Sequence, residues 1–325
     1  MMYNLNNLSN MKKEKKLIDI TSEPVLSMLD LLLKDKTTKQ NITWATDTYK
    51  EYGKGFTNRE QINKKLLLKR PDLIRPRVLK SKEVQRARQR KKAEVFTPAW
   101  LCNKMINYRD ADWFQRKDVF TIENSDNTWT TIQGTVTFPA GEKWEKYVDS
   151  KCIEVTCGEA PFLVSRYDAA TGERIDPIGH RVGVLDRKLR IVNENVKTYD
   201  EWLKWTTRAF EATYGYEYQG DSLLIARINL LLTFCDYYKD RWKEEPDKKI
   251  LRKITNRIVW NVWQMDGLKD TIPHGRLFKE YEQLSFDSLS NDKKEDSQDV
   301  VYCRIYDWRA NHSLFFKNAK AKIDD

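Results

Sequence analysis

Three short stretches place acids and a glycine where a ligand-binding turn would use them. Cys152-Ile-Glu-Val-Thr-Cys-Gly158 is an apolar run that ends at a glycine and leads toward Pro161. Arg181-Val-Gly-Val-Leu-Asp186 reads as a second strand ending in an acid. A third apolar run, Ile258 to Met265, ends at Asp266-Gly267. Taken singly, Glu154 and Asp186 suit helix N-caps and Asp266 suits a turn. Their joint placement at successive strand ends favours a ligand. A different chemistry competes for one of these residues. Asp176 followed by Asp186-Arg-Lys188 fits the loose nuclease pattern in which two carboxylates hold Mg²⁺ and a lysine orients water. Cys157 has no base in its sequence neighbourhood, so nucleophilic catalysis is not expected of it. His180, His274 and His312 read as surface or core residues.

These turns need elements to position them. An amphipathic helix is expected around Val25 to Leu33, and Asn41 to Tyr49 reads as a strand entering a turn. Arg75 to Lys92 carries nine basic residues against one acid, Glu83, and its helix formers after Pro76 predict a basic helix. Thr97-Pro98 caps a helix over 96–108. Short strands are expected at Val119 to Glu123 and Thr128 to Phe138, and a helix after the glycine turn from about Pro161. Long helices follow at Tyr199 to Tyr214 and Ser222 to Trp242, the latter with apolar residues at Leu224, Ile228, Leu231 and Cys235. Residues 288–298 form a charged loop, and Val300 to Trp308 pairs with Ser313 to Phe316 as a hairpin. Strands alternating with helices predict an α/β fold with a parallel, doubly wound sheet, whose ligands sit at the carboxyl ends of its strands.

The segment Glu154-Val-Thr-Cys-Gly-Glu-Ala-Pro-Phe-Leu163 resembles the cofactor loop of adenine-specific DNA methyltransferases from restriction–modification systems, Asp-Pro-Ala-Cys-Gly-Ser-Gly-x-Phe-Leu. Glu154 stands for the first acid, Thr156 lies within the loop, Cys157 and Gly158 match, Phe162-Leu163 match, and Ala160 replaces the second glycine. Upstream, Ala93-Glu-Val-Phe-Thr-Pro-Ala-Trp-Leu101 is similar to the segment in which Phe96, Thr97 and Pro98 would pack on the methionine end of S-adenosylmethionine. The resemblance covers about residues 90–270 and is closest to methylase subunits. It implies a Rossmann-like methyltransferase sheet with an N-terminal helical basic arm (1–92), an S-adenosylmethionine-dependent domain (93–325) and inserted helices. It also implies ribose contact at Asp186 and adenine contact at Asp266 with Gly267.

One departure matters most. The family holds its target amine with Asn/Asp-Pro-Pro-aromatic, and no Pro-Pro pair occurs in the chain. Two weaker substitutes are Thr46-Asp-Thr-Tyr49, with Asp47 and Tyr49, and Arg304-Ile-Tyr-Asp307, with Tyr306 and Asp307. The expectations are therefore an adenine DNA methyltransferase or methylase subunit that a second protein subunit can complete, or a non-catalytic cofactor- or DNA-binding subunit; a Mg-dependent nuclease ranks last. Duplex DNA would lie on the phosphate-binding helix through Arg86, Arg88, Arg90, Lys91 and Lys92.

Composition frames these expectations. The 325 residues carry 58 Lys+Arg against 48 Asp+Glu, a formal net charge of +10, which suits an anionic partner without requiring one. Eleven Trp and fifteen Tyr serve core packing or base stacking. No apolar window is long enough to span a membrane. The Asn- and Lys-rich start lacks a signal peptide's apolar centre. Five scattered cysteines form no Cys-x-x-Cys pair, so no zinc site is expected and reduced thiols in the cytoplasm are.

Overall fold

The computed structural model describes residues 16–92, 97–276 and 300–324. Phe96 and the charged stretch 288–298 lie outside them. Helix α1 (Val25–Leu32) is followed by α2 (Lys64–Lys69), capped by the Asn63 side chain, and by the basic α3 (Lys82–Lys92). The basic helix thus starts later than the composition suggests. Arg77 to Leu79 form a single tight turn, and Lys80 is extended, which interrupts the helical path. Asn41 to Tyr49 forms only isolated bridges, Lys34 with Asn41 and Thr43 with Gln61.

Next come α4 (Ala99–Phe114), the hairpin strands β1 (Thr121–Glu123) and β2 (Trp129–Thr131), α5 (Trp144–Asp149) and β3 (Cys152–Glu154). The second half contains α6 (Val184–Asn195), α7 (Tyr199–Glu211), β4 (Thr213–Glu217), α8 (Gly220–Trp242), α9 (Lys248–Asn261) and β5 (Val262–Gln264). A C-terminal hairpin of β6 (Arg304–Asp307) and β7 (His312–Phe315) leads into α10 (Phe316–Asp324).

The chain is a mixed α/β structure built on a parallel sheet in the order β3-β4-β5. Glu154 pairs with Gly215, and Glu217 with Gln264. The pleat sends alternate residues to opposite faces. Val262 joins Cys157 and Leu163 in the larger core with α6 to α9. Tyr214, Tyr216 and Trp263 join a smaller core with Cys303 and the C-terminal hairpin. Residues from Ile18 to Ile74 contribute to the larger core as well, so the first part of the chain packs on the sheet's helices. Helix α8 is buried around most of its circumference, as suits a central helix. Its Arg227 donates to the Leu32 and Lys34 carbonyls at 2.6 and 2.9 Å, satisfying groups at the end of α1.

Two expected elements are replaced. Arg181 to Asp186 is not a strand: Val184, Leu185, Leu189, Ile191 and Val192 recur at helical spacing, bury one face, and place Asp186 in the first turn of α6. The second strand of the sheet is Thr213–Glu217 instead, beginning just after α7 ends. No helix starts near Pro161. Ala160 sits at φ +66°, and the chain continues as turns, with Leu163 and Val164 both donating to the Ala160 carbonyl.

Candidate functional site at the carboxyl ends of the parallel strands

The loop leaving β3 is the most constrained piece of backbone in the sheet. Thr156, Gly158 and Ala160 have φ of +49°, +55° and +66°, so alternate residues occupy the left-handed region. For β-branched Thr156 this conformation is costly, and strain of this kind collects at functional sites. Beside Gly158 an added Cβ would meet nothing within 4 Å, so open space adjoins the turn. The Gly158 N–H donates to Glu217 Oε2 at 2.9 Å, and Glu217 Oε1 accepts from the Gln219 N–H at 2.9 Å.

Glu154, at the end of β3, is the other carboxylate here. Its Oε1 accepts from the Phe162 N–H at 3.4 Å, while Oε2 is buried and meets no donor among the described residues. Burial, reinforced by nearby Glu217, pushes its pKa well above the usual carboxylate range. Burial first, then Glu154 and Glu217, push the Cys157 thiol up in the same way, which disfavours the thiolate. Thr97 and Pro98 lie nearby at the start of α4. The Ala99 N–H donates to Asp168 Oδ2 at 2.7 Å, and the following turn brings Cys102 within electrostatic reach of Glu154.

At the end of β5, the Asp266 N–H donates to the Thr271 carbonyl at 2.7 Å, and Asp266 Oδ1 accepts from the Leu268 N–H at 3.1 Å. Gly267 is required by a close approach, because a Cβ there would stand 2.6 Å from the Tyr216 ring. Tyr218, after β4, packs edge-on to His274 at 6.2 Å between ring centroids, and His274 Nε2 lies 3.3 Å from the Asn58 carbonyl. Asn58 Nδ2 in turn donates to Asp47 Oδ2 at 3.1 Å. Gln264 fastens this wall to β5, accepting from the Thr43 N–H and donating to the Thr43 and Tyr218 carbonyls. Glu154, Thr156, Gly158, Asp266 and exposed Asp47 therefore belong to the same end of the sheet.

Other expected site residues lie elsewhere. Asp186 is buried in α6, where its Oδ2 accepts from the Ser165 N–H at 2.9 Å and from its hydroxyl at 3.3 Å. It braces the loop beyond Phe162, and no strand ends at it. The acid at the end of the second strand is Glu217. The alternating Tyr-Gly-Tyr-Glu pattern was the signal that could have found it. Asp186 and Lys188 also fail to assemble the nuclease pattern: Lys188 is buried and donates to the Ser150 and Ala212 carbonyls, and Asp176 is largely exposed beside Arg181. Among the described residues, no group of three or more His, Cys, Asp or Glu could hold a metal ion.

Tyr49 is buried, and its hydroxyl donates to Asp221 Oδ2 at 2.6 Å. Tyr306 and Asp307 stand at the opposite end of the strands. The Tyr306 carbonyl accepts from Tyr214 OH at 3.2 Å, and Asp307 pairs with Lys151, which precedes β3. On α3, Arg86 and Arg90 are exposed, but Arg88 is turned inward, 3% exposed, and bridges Asp221 at 2.6 and 3.1 Å. That partner, shared with Lys80 at 2.7 Å on the same carboxylate, turns Arg88 away from the exposed face of α3, where the sequence placed it for phosphate contact. The side chains of Lys91 and Lys92 lie outside the described residues. Among the described residues, no helix is long and apolar enough to cross a membrane. Set against protein-family models, curated proteins and solved structures, the chain finds no match.

Proposed function

We propose that the chain is an S-adenosylmethionine-dependent methyltransferase, or methylase subunit, that acts on adenine amino groups in DNA. The observation that carries this reading is the strained loop after β3, whose Gly158 N–H meets a carboxylate from the neighbouring strand end. The residues present fit the cofactor on two further counts: the buried Glu154 Oε2 meets no donor among the described residues, and open space adjoins Gly158.

In this reading Glu217 takes the role first given to Asp186 and accepts hydrogen bonds from the ribose hydroxyls. Glu154 and the Gly158 backbone would hold the amino-acid end, with Phe96, Thr97 and Pro98 in the role the resemblance gives them, and Asp266 with Gly267 would face the adenine ring. The bound cofactor supplies an electrophilic methyl group. Asp47, fixed by Asn58 at the same strand ends, accepts a hydrogen bond from the target amine and orients it. Exposed Arg86 and Arg90 hold duplex phosphates. The chain lacks the proline pair that would fix the amine rigidly, so methyl transfer by the chain alone is expected to be slow and to rise with a second subunit.

A second reading, a cofactor- or DNA-binding subunit without catalysis, is favoured by that same missing pair. Calorimetry with S-adenosylmethionine, followed by tritium transfer to mixed-sequence duplex DNA, separates the two. Glu217→Ala is expected to lose about 1–3 kcal/mol of cofactor binding, roughly 5- to 150-fold. Absence of cofactor binding by the unaltered chain rejects the methyltransferase reading and leaves the second reading with DNA binding alone, and equal binding by Glu217→Ala rejects the ribose assignment.

A further inference from the structure

We propose that the outward face of α9, together with the cleft between α9 and α7, binds a single-stranded nucleic acid. The surface is distinct from α3, and the inference is independent of the methyltransferase reading.

The first observation is the charge of α9. Its sequence, Lys-Lys-Ile-Leu-Arg-Lys-Ile-Thr-Asn-Arg-Ile-Val-Trp-Asn, contains lysine and arginine but no acid. Leu251, Ile254, Thr255 and Ile258 are buried, which leaves Lys249, Arg252, Lys253, Arg257 and Trp260 on the outward side. Lys248 with Arg252, Lys249 with Lys253 and Lys253 with Arg257 are like-charge pairs at i, i+4, each of which destabilises a helix. Lys248 and Lys249 also stand in the first turn, where the helix dipole favours acids. Helices α6 and α7 do the opposite, with Arg190 on Glu194 and Arg208 on Glu211. The acids just before α9 are turned elsewhere, Glu245 to Lys239 and Asp247 to the Ile250 N–H. Among the described residues, Lys249, Arg252 and Lys253 are exposed and have no carboxylate partner. Folding thus holds like charges together along α9 against their repulsion, and a polyanion lying there relieves it.

The second observation is a cleft of about 440 Å³ beside this face, lined by Lys204, Trp205 and Arg208 of α7 and by Lys253 and Arg257 of α9. Its two acids are already engaged. Asp149 pairs with Arg208 and Arg309, and Glu211 lies between Arg208 at 3.4 Å and Arg257 at 3.2 Å. Lys204 is exposed and has no carboxylate partner among the described residues. Positive charge therefore remains beside the half-buried Trp205 ring, which Trp144 holds edge-on at 4.8 Å. Aromatic groups continue the row past the cleft. The Arg257 guanidinium lies 4.8 Å over Trp308, Trp308 lies 4.3 Å from Tyr306, and Tyr306 lies 5.2 Å from Trp260. Lys36 and Lys39 stand over Trp260 at 5.6 and 5.4 Å. Burial first, and then Lys39 and Arg227, lower the Lys36 pKa, as crowded positive charge does.

These features together select a single strand. Cations interleaved with half-buried rings suit a chain whose phosphates and unpaired bases are both accessible. A duplex keeps its bases stacked inside and would use the charges alone. The face also outlasts a mononucleotide, since Lys249 to Trp260 span about 16 Å of helix.

Fluorescence anisotropy of labelled oligothymidylate with the full chain, from low to high salt, tests the proposal. Oligothymidylate is expected to bind roughly fivefold or more tightly than an abasic strand of equal length, which carries the same phosphates without bases. Lys204→Gln with Lys249→Gln and Lys253→Gln should weaken binding at least about tenfold at low salt and flatten the salt slope by roughly 0.7 per lost contact, about 2 in all. The three side chains are exposed, so the thermal midpoint of this variant should not fall, and its S-adenosylmethionine binding should match that of the unaltered chain. Arg86→Gln with Arg90→Gln, on α3, should leave oligothymidylate binding within about twofold. Failure of oligothymidylate to bind at low salt overturns the proposal. So does binding that the triple variant leaves unchanged or that the abasic strand equals, and so does a duplex that the triple variant weakens as much. Capture of the chain by phosphatidylserine vesicles through the same three lysines, with no oligothymidylate bound, assigns the face to a membrane surface and overturns the proposal as well.

Discussion

The two ends of the parallel sheet are built differently. At the amino ends of the strands, charges are matched. Asp149 pairs with Arg208 and Arg309, Lys151 with Asp307, and Glu211 with Arg257, while Trp308 Nε1 donates to Asn261 at 2.7 Å. At the carboxyl ends, a buried Glu154 oxygen lacks a donor, three left-handed residues crowd one loop, and open space borders Gly158. Paired groups stabilise the fold and leave nothing over for a ligand. Unpaired buried groups and strained backbone raise the free energy of the folded chain, and a ligand that satisfies them recovers it. The proposed function draws on this contrast in placing its ligand at the carboxyl ends.

An exception at the carboxyl end supplies the largest expected effect. Asp221, at the start of α8, is fully buried and receives Lys80, Arg88 and Tyr49. Burial alone would raise its pKa, but Arg88 and Lys80 override it and hold the carboxyl far below the usual range. Burial pushes the Tyr49 phenol up to about 12, so it stays protonated and donates. Asp221→Asn leaves two buried cations without a counter-charge and is expected to cost about 3–5 kcal/mol of stability. Chemical denaturation measures it. A loss below 1 kcal/mol would mean that α3 is not clamped through this carboxylate.

Catalysis tests the contrast directly. If the carboxyl ends hold the target amine, Asp47→Ala should lower methyl transfer about 100-fold, near 2.7 kcal/mol, with cofactor affinity unchanged. Asp307→Ala, at the amino ends, should stay within about twofold. Single-turnover transfer of labelled methyl to DNA reads both, and the reverse ranking would move the active site to the hairpin.

Asp186 gives a smaller effect with a definite sign. Burial pushes its carboxyl up to about 6 against the pull of Arg181 and Ser165. A folded-state pKa above the unfolded value near 3.9 means that the folded chain binds the proton more tightly in this window. The stability is thus full below about pH 4 and falls as pH rises to about 6. The shift of about two units corresponds to roughly 2–3 kcal/mol at most. Asp186→Asn should remove that slope while S-adenosylmethionine binds as before. Melting curves across pH 4–7 show the first and calorimetry the second. Asp221 contributes in the opposite direction, since its depressed pKa loses stability only as pH falls below about 4.

What could be read from the sequence followed local periodicity. The α8 spacing of Leu224, Ile228, Leu231 and Cys235 repeats every three to four residues, and the C-terminal hairpin shows two apolar runs across a turn; both elements formed as expected. Strand β4 escaped because it starts two residues after α7, so that Thr213 and Tyr214 read as the helix's last turn, and because Gly215 interrupts its short strand-forming run. Val182-Gly-Val-Leu185 imitated a strand, although the residues after it continue at helical spacing. That reading put the acid of the second strand end at Asp186, whereas the strand that forms ends at Glu217. Arg88 could not be sorted from its neighbours because its partner Asp221 lies 133 residues away and only the folded chain brings them together.

That sorting yields the smallest expected effect, on α3 itself. Arg86 and Arg90 are exposed on the helix whose Arg88 is fixed inward, so the inward residue serves the fold and the outward pair is what the proposed DNA contact would use. Replacing Arg86 and Arg90 by Gln should weaken DNA binding by a few-fold at physiological salt, about 1 kcal/mol, equally for all duplex sequences. It should also flatten the salt dependence by roughly 0.9 per lost contact, about 1.8 in all. The thermal midpoint should not move, because neither side chain is buried. Arg88→Gln should do the opposite, lowering the midpoint by leaving Asp221 one partner short. Fluorescence anisotropy against labelled duplexes from low to high salt, beside melting curves of the same variants, distinguishes the two roles. If Arg86→Gln with Arg90→Gln leaves the slope unchanged, α3 is a solvated face and takes no part in phosphate binding.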